Sequence, residues 1–364
     1  MKMRTQIVRE YLDQKGYDAI LMGNIESLFW LFERSVDPRK NGSYLYTDFL
    51  VYIDDHRTVV ILPEREKDRI SETLENYNID YKTYNWFKGP ISIINSLGND
   101  KRVVTDCISL AKLPTVEYVD SDFKFLQLQF SEKEISRLRA TGTLSENMLF
   151  EFSNELRSGM TEIEIEKILK ALFQEIGLEV LYLVVLSDER LEKFSSANST
   201  GKKVKRHLVI SLRTHRHGLC VSLSRSFFFG KVPGDLADLY DKSAALFARS
   251  AYDFLQIRRL SEILKRAKSN YASIGYEEEW NNFDVNFSAR FGIGNISPLT
   301  ELDFEIKENM AFSFYTPLKP ARNEDTVLLK KSSTAELITL GSNFPKMVVN
   351  VENMKVMRPW IMEL

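Results

Sequence analysis

The sequence contains few cysteines and few histidines, and this scarcity limits the chemistry open to it. Its two cysteines are Cys107 and Cys220. Two are too few for a disulfide framework or a thiolate zinc site, and they favour a reducing compartment. Its four histidines are His56, His207, His215 and His217. Any histidine-dependent chemistry must use one of these four.

The sequence also lacks a strong net charge and a long apolar run. Lys+Arg number 49 and Asp+Glu 51, a formal charge of -2, so no overall field attracts nucleic acid or an anionic membrane. No run approaches the roughly 20 apolar residues that span a bilayer. The N-terminus carries charge every few residues and indicates an amphipathic helix, not a secretion signal. We therefore predict a cytoplasmic protein with no membrane contact and no nucleic-acid partner.

The length of 364 residues predicts two domains or more. Helical and strand patterns interleave over about the first 125 residues, which indicates a small α/β domain. A new pattern begins at Ser131, which with Glu134 forms a capping box, and Thr161 with Glu164 forms another. We predict an α/β domain over 1–128 and a second domain over 129–364.

Two predicted strands in the second domain, 207–214 and 219–229, form a hairpin closed by a turn at 215–218. Alternation places Ser211, His215 and His217 on one face. Because the histidines lie at the turn, we expect them to be solvated and more than about 10 Å from Ser211.

Five segments, in this order, resemble the creatinase, aminopeptidase P and prolidase family. Residues 131–135 and 159–162 together form the first segment, which is similar to the start of its catalytic domain. Residues 209–225 resemble its hairpin signature, in which Asp-x-Gly precedes Gly-Tyr-x-Ser-Asp-x-Thr-Arg. The other matches are Phe291-Gly-Ile-Gly294 to Gly-His-Gly-Ile-Gly, Asn309–Tyr315 to Gly-Met-Val-Phe-Thr-Ile-Glu, and Arg322–Val327 to Arg-Ile-Glu-Asp-Thr-Val.

The resemblance implies an α+β fold, in which a creatinase-like N-terminal α/β domain is followed by a pita-bread domain. Active members of the family hold two divalent metal ions with two aspartates, one histidine and two glutamates, and hydrolyse peptide bonds, typically before proline. Carboxylate and imidazole ligands suit manganese, cobalt or zinc, and such a metal pair activates a bridging water.

Four of the five ligand positions do not carry the family's residue. The aspartate positions fall on Ser211 and Ser222, the histidine on Phe291, the first glutamate on Tyr315, and only the second glutamate is kept, as Glu324. The substrate-facing histidine of the family falls on Ser195 or its neighbour Phe194. Serine hydroxyls are weak ligands and phenylalanine cannot coordinate, so we expect no metal cofactor, and we expect Glu324 to pair with Arg225 or Arg322.

The hairpin residues allow three other interpretations. A serine nucleophile at Ser211 or Ser222 needs a general base within reach, which the hairpin does not supply. A replacement metal site could use His215, His217 and Cys220. Basic residues crowd the same hairpin and form a solvated edge or, less expected, an anion or nucleic-acid contact; they are Lys202, Lys203, Lys205, Arg206, Arg213 and Arg216.

The sequence thus favours two functions over a third, a metal-independent enzyme, because the pocket histidine on which creatinase relies has no counterpart here. The first is a non-catalytic relative of the Xaa-Pro peptidases that binds a peptide or protein in the pita-bread cleft, and the large subunit of the FACT histone chaperone is a precedent for such a use of the fold. The alternative is an Xaa-Pro aminopeptidase or dipeptidase with atypical ligands and a bound divalent metal. Dimerisation is common in the family, so a homodimer is expected.

Overall fold

The computed structural model describes residues 2–33, 37–39, 47, 49–75, 77–113, 116–286, 304–330 and 334–364. Phe291 lies outside these ranges. The chain folds into two compact units, Met1–Gln127 and Leu128–Leu364. Each unit has its own sheet structure and its own buried apolar core.

The first unit is built on a six-stranded sheet with the strand order β4-β3-β2-β1-β5-β6. Its strands are β1 Ala19–Met22, β2 Leu50–Asp54, β3 Thr58–Pro63, β4 Asp80–Tyr84, β5 Val103–Thr105 and β6 Val116–Tyr118. Its helices are α1 Lys2–Lys15, α2 Ile25–Phe32, α3 Lys67–Thr73, α4 Ile91–Leu97 and α5 Ser121–Leu126, with a 3-10 helix at Glu64–Glu66. The β2–β3 hairpin follows the prediction, with Ile53 opposite Thr58.

Both faces of this sheet are covered by apolar side chains. Ile20 and Val60 enter one buried cluster, whereas their chain neighbours Leu21 and Ile61 enter another. Because successive strand residues point to opposite faces, these two clusters lie on the two sides of the sheet. This explains why the strands read as continuous apolar runs.

The second unit contains a first sheet with the order β16-β9-β8-β7. Its strands are β7 Glu179–Ser187, β8 His207–Arg216, β9 Leu219–Phe228 and β16 Met362–Glu363. Helices α6 Glu132–Ser153 and α7 Glu162–Glu175 pack on one face, where Leu149 and Phe173 share a core with Ile210. Both predicted capping boxes are confirmed at the starts of these helices. The short helix α8 Glu189–Lys193 follows β7.

A second sheet in this unit has the order β10-β11-β12-β13. Its strands are β10 Asp284–Asn286, β11 Ala311–Leu318, β12 Ala321–Lys330 and β13 Thr334–Leu337, and a separate hairpin is formed by β14 Lys346–Val351 and β15 Met354–Pro359. The remaining helices are α9 Gly234–Gln256, α10 Leu260–Ser273 and a 3-10 helix at Glu277–Asn282. Phe254 of α9 packs on Phe314 of β11, with ring centroids 4.4 Å apart. Helix α9 therefore covers one face of β11.

The long helices are amphipathic. Helix α6 has 22 residues and buries Leu138 and Leu149, while Glu151 on the same helix is exposed. Helix α9 has 23 residues and buries Phe247, while Asp241 is exposed. Over the ranges that the structure describes, no helix is both long enough and apolar enough to cross a membrane.

The turn between β8 and β9 is tighter than the sequence predicted. Strand β8 continues through Arg216, and the turn consists of His217 and Gly218, with φ of 51° and 77°. Two positive φ values characterise the two-residue turn that best matches strand twist. His215 consequently lies within the strand, opposite Cys220, and is buried, so the expectation of a solvated turn residue was wrong for His215. His217 is exposed, as expected.

Gly142 of α6 marks a close approach of this helix to the chain after β13. A methyl group added at Gly142 would overlap the main-chain carbonyl oxygen of Ile338. In an unobstructed helix, Gly→Ala stabilises by about 1 kcal/mol. Here we expect Gly142→Ala to destabilise the protein, by about 1–3 kcal/mol, because backbone cannot yield as a flexible side chain does.

Urea unfolding of Gly142→Ala measures this effect, and Gly234→Ala is the matched control. Gly234 is the first residue of α9, and nothing stands within 4 Å of its added methyl group. Equal or greater stability of Gly142→Ala relative to the unmodified chain would contradict the expected close contact.

Candidate functional site

The two serines at the aspartate positions implied by the resemblance lie on one face of the β8–β9 hairpin. Ser211 is opposite Ser224, and the two hydroxyls hydrogen-bond to each other. Ser222 is opposite Arg213. Its main-chain N–H donates to Oγ1 of Thr326 on β12 at 2.8 Å, and its carbonyl accepts from that hydroxyl at 3.0 Å. The edge of β9 therefore contacts the second sheet directly.

Three residues form a continuous line across the second sheet. Tyr315 on β11 is the direct cross-strand partner of Glu324 on β12, and on its other side it is the partner of Asp284 on β10. Side chains of direct partners lie on the same face, within contact range of each other. We call Asp284, Tyr315 and Glu324 the carboxylate row.

A second line crosses the first sheet. Arg213 on β8 is the partner of Tyr182 on β7 and of Ser222 on β9. We call Tyr182, Arg213 and Ser222 the hairpin row. The two rows meet at the loop after α8, where the Tyr182 hydroxyl donates to Oγ of Ser196 at 3.2 Å and the Tyr315 hydroxyl donates to the carbonyl oxygen of Ser195 at 3.3 Å. Together the rows are the candidate site.

Glu324 has the most strongly perturbed carboxyl group of the site. The pKa of Glu324 is raised to about 8. The largest cause is loss of hydration on burial, and repulsion from Asp284 and Asp325 adds to it. Arg213 and Arg225 oppose this rise but do not cancel it. Loss of hydration also raises the pKa of Asp284. A carboxyl group in this setting favours its neutral form unless a cation or hydrogen-bond donor joins it.

Tyr315 connects the carboxylate row to the loop after α8. Its hydroxyl donates to the carbonyl oxygen of Ser195 at 3.3 Å, and burial raises its pKa. The Ser195 hydroxyl donates to Oδ1 of Asn282 at 2.6 Å. The residue at the lost substrate-histidine position therefore lies beside the site but already has hydrogen-bond partners within the protein.

The expected partners of Glu324 are engaged elsewhere, so that pairing was wrong. Arg322 donates to the carbonyl oxygens of Leu191 at 3.1 Å and Ser195 at 3.0 Å, and also to that of Phe194. Its guanidinium is held by this loop because three carbonyl oxygens converge there. Within the described part of the chain, the Glu324 carboxylate itself has no hydrogen-bond or ion-pair partner.

Arg225 belongs to a separate buried network. Its guanidinium bonds Oε1 of Glu146 at 3.0 Å and Oδ1 of Asp325 at 3.0 Å. Asp325 also pairs with Arg358 at 2.8 Å, and all four side chains are at most 1% exposed. The network pairs two cations with two anions. Its Asp325 side chain points away from that of Glu324, because neighbouring residues of a strand alternate between the faces of the sheet.

The alternative interpretations of the hairpin find little support in its geometry. His215 accepts a hydrogen bond from the Gly218 N–H at Nε2, 2.8 Å away, and its Nδ1 lies 3.5 Å from Glu179. Lys202 pairs with Glu189, and the Arg206 guanidinium lies over the Phe228 ring. In the residues that the structure describes, no three His, Cys, Asp or Glu side chains converge as a metal-binding group.

The side chains of the site do not fit the two metal ions that the resemblance implies. The Ser211 hydroxyl is occupied by Ser224, and the Tyr315 hydroxyl donates to a carbonyl oxygen. Neither group presents an anionic oxygen, which divalent cations of this kind require. Glu324 is the one ligand-type residue left at the four described positions, and a single carboxylate does not hold a metal pair.

Sequence reasoning missed Tyr182 and Asp284 and assigned Arg213 to a surface edge. The predicted turn at 215–218 opposes Ser222 to Ser211, whereas the observed two-residue turn opposes Ser222 to Arg213, so the place of Arg213 in the row depended on the turn. Asp284 could not have been found, since its pairing with Tyr315 joins residues that are 31 positions apart and was not signalled by any local pattern.

Comparisons with known proteins identify the fold. The sequence matches no protein-family model and no curated protein. The structure matches X-Pro aminopeptidase from Thermotoga maritima (18% identity, 93% of this chain and 98% of that one, TM-score 0.68). It also matches Xaa-Pro dipeptidase from Bacillus anthracis, with 15% identity and a TM-score of 0.75, over 100% of this chain and 99% of that one.

A third match is the N-terminal domain of FACT complex subunit SPT16 from Cicer arietinum, with 12% identity and a TM-score of 0.67, over 94% of this chain and 95% of that one. All these matches cover nearly the whole of both chains. They confirm the predicted α+β architecture, with a creatinase-like N-terminal α/β domain followed by a pita-bread domain. The chain has the fold of the creatinase, aminopeptidase P and prolidase family.

Proposed function

We propose that this protein is a non-catalytic relative of the Xaa-Pro peptidases that binds a peptide or protein segment between the hairpin row and the carboxylate row. No metal or other cofactor takes part. The cytoplasmic location and the homodimer expected from the sequence belong to the same proposal, and light scattering on the purified chain tests the dimer.

This proposal rests on the side chains that stand where the resemblance implies metal ligands. Ser211, Ser222 and Tyr315 carry neutral hydroxyls, and those of Ser211 and Tyr315 are hydrogen-bonded within the protein. The two-metal hydrolysis of the Xaa-Pro peptidases requires a metal-bound water as nucleophile, and without metal the pKa of water stays far above neutral. A polar surface on a peptidase fold then remains available for binding, because recognition needs only complementary hydrogen bonds and shape.

Metal content tests the absence of the cofactor. We expect the protein, incubated with excess Mn²⁺, Co²⁺ or Zn²⁺ and then freed of unbound ions, to retain well below one metal ion per chain. Loss of even one outer-shell partner typically lowers metal affinity by about 10–100-fold, and here whole ligands are absent. Elemental analysis measures the retained metal, and Glu324→Gln is the control that separates site-bound from surface-bound ions.

Hydrolysis of Xaa-Pro dipeptides and tripeptides in the presence of each metal tests the alternative function. We expect no turnover above the buffer blank. Stoichiometric metal that disappears in Glu324→Gln, together with metal-dependent cleavage, would establish an Xaa-Pro aminopeptidase or dipeptidase with atypical ligands. The fold matches to proteins of those names make this the appropriate competing activity.

A further inference from the structure

We propose that a cavity in the first unit binds a free α-amino acid, with the carboxylate of the ligand on Arg9 and its ammonium on Asp13. The walls of the cavity come from α1, the Tyr17–Asp18 segment after it, the turn between β2 and β3, and Lys101. Its volume is about 360 Å³. Ligand pockets occupy roughly 300–1,000 Å³, so this one suits a small ligand. Every lining residue belongs to the first unit, so the inference does not depend on the proposed function.

Arg9 supplies the unpaired donors of the cavity. Its Nε donates to the main-chain carbonyl oxygen of Asp54 at 2.8 Å, which fixes the guanidinium against the end of β2. Over the described residues, neither Nη1 nor Nη2 of Arg9 has a hydrogen-bond or ion-pair partner. A guanidinium anchored at Nε still offers parallel N–H groups from its two Nη atoms. This arrangement matches the two oxygens of a carboxylate.

Lys101, the lysine of the cavity wall, is already engaged by the protein. Its Nζ lies 2.8 Å from Oδ2 of Asp54 and 3.1 Å from the Tyr52 hydroxyl. Asp54 is 2% exposed, so a buried carboxylate compensates the charge of Lys101. The anionic group of a ligand is therefore directed to Arg9.

The unpaired acceptors of the cavity are aspartates. In the part of the chain that the structure describes, the Asp13 carboxylate has no hydrogen-bond or ion-pair partner. Asp18 accepts from the main-chain N–H of Arg102 through Oδ2, at 2.7 Å, and this bond leaves Oδ1 open. Ionised carboxylates only accept hydrogen bonds. A ligand that completes this cavity must therefore bring a cationic donor as well as an anion.

The spacing of Arg9 and Asp13 favours two charges on neighbouring atoms of the ligand. The two residues lie four positions apart on α1, so they share one face of the helix, with Cβ atoms about 5–6 Å apart. An α-amino acid carries its ammonium and its carboxylate on one carbon atom, so two side chains at this spacing can bind both groups. A dipeptide places a further residue between the two charges, which adds about 3.5 Å.

The remaining wall of the cavity is apolar. Leu12 is buried, and the Tyr17 ring is covered by the guanidinium of Arg102, 4.5 Å from its centroid. An apolar side chain of the ligand would lose contact with water against these two residues. Leucine is therefore the first probe.

Isothermal titration calorimetry on the full chain tests this site with L-leucine and three analogues. N-acetyl-L-leucine lacks the ammonium, L-leucinamide lacks the carboxylate, and L-leucyl-L-leucine has its charges further apart. We expect L-leucine to bind with a dissociation constant of about 1 mM or tighter. Each analogue should bind at least about tenfold more weakly, because it loses or misplaces one charge-assisted contact. Equal or tighter binding of any analogue, or no binding of L-leucine at about 10 mM, would overturn the assignment.

Site variants assign the binding to this cavity. Arg9→Gln and Asp13→Asn each remove one charge, and we expect each to weaken L-leucine binding about tenfold. Asp68→Asn is the matched control, because Asp68 is an exposed aspartate of α3 outside the cavity, and this variant should bind as the unmodified chain does. Urea unfolding checks that each variant is folded. Asp13 is exposed, so Asp13→Asn decides the test even if Arg9→Gln does not fold. Unchanged binding of L-leucine by a folded Arg9→Gln or by Asp13→Asn would overturn the proposal.

Discussion

Replacing Arg225 by methionine is expected to lower the free energy of unfolding by about 3–5 kcal/mol. Arg225 is 0% exposed and lies between Glu146 and Asp325, at 3.0 Å from each. Methionine fills much of the space but leaves Glu146 buried without its cation. The cost is large because a carboxylate removed from water keeps its charge only if a partner compensates for it.

Urea unfolding at pH 7 measures this loss, with Arg65→Met as the matched control. The Arg65 side chain is 55% exposed and pairs with Glu66 at 3.4 Å. Exposed pairs typically contribute at most about 1 kcal/mol, so the control should unfold almost as the unmodified chain does. A loss below about 1 kcal/mol in Arg225→Met would show that the network is not a buried charge system.

The stability of the protein is expected to fall as the pH drops from about 6.5 towards 4, because of His207. This residue is buried at the start of β8 beside the ring of Phe228, and loss of hydration lowers its pKa to about 4. Asp188 opposes the shift, whereas Arg322 adds to it. The Nε2 atom has no hydrogen-bond partner in the described structure, so a proton there would not be compensated.

The sign follows from proton uptake on unfolding. An unfolded histidine has a pKa near 6.5, so between pH 6.5 and 4 the unfolded chain holds a proton at His207 that the folded chain lacks. Stability contributed by the neutral buried ring is therefore complete above pH 6.5. It decreases as the pH falls, by about 2 kcal/mol at pH 5 and about 3 kcal/mol once below the folded pKa.

Urea unfolding at several pH values checks this prediction. We expect His207→Gln to lose about 2 kcal/mol less than the unmodified chain between pH 7 and pH 5, because glutamine does not titrate. His56→Gln is the control, since the His56 side chain is 87% exposed. Parallel pH curves for His207→Gln and the unmodified chain would contradict a buried neutral His207.

Local patterns in the sequence predicted the elements whose stability is local. The capping boxes at Ser131 and Thr161 formed as predicted because each connects residues three apart within one helix turn. The β8–β9 hairpin also formed, since its strands are adjacent in sequence, but its turn was predicted to begin two residues too early and so to be two residues too long. A two-residue turn was hard to foresee because His217 has a positive φ, which residues other than glycine adopt uncommonly.

The candidate site was only partly predictable, because most of its contacts join residues far apart in the chain. The resemblance pointed to Tyr315 and Glu324, which the structure makes direct partners. It could not identify the hydrogen-bond partners of either residue. The expected ion pair of Glu324 with Arg225 failed because Arg225 reaches Glu146, 79 residues away in the chain, and that contact exists only after α6 packs against the sheet.

The sequence by itself determined the helices, most strands, the resemblance to the Xaa-Pro peptidase fold and the loss of metal-ligand residue types. These properties depend on residue identity and on spacings of two to eleven positions. Only the tertiary structure decided that Asp284, Tyr315 and Glu324 form one row, and that nearby arginines have other partners. Such contacts join strands and loops far apart in the chain, so their energies depend on packing that no local pattern encodes.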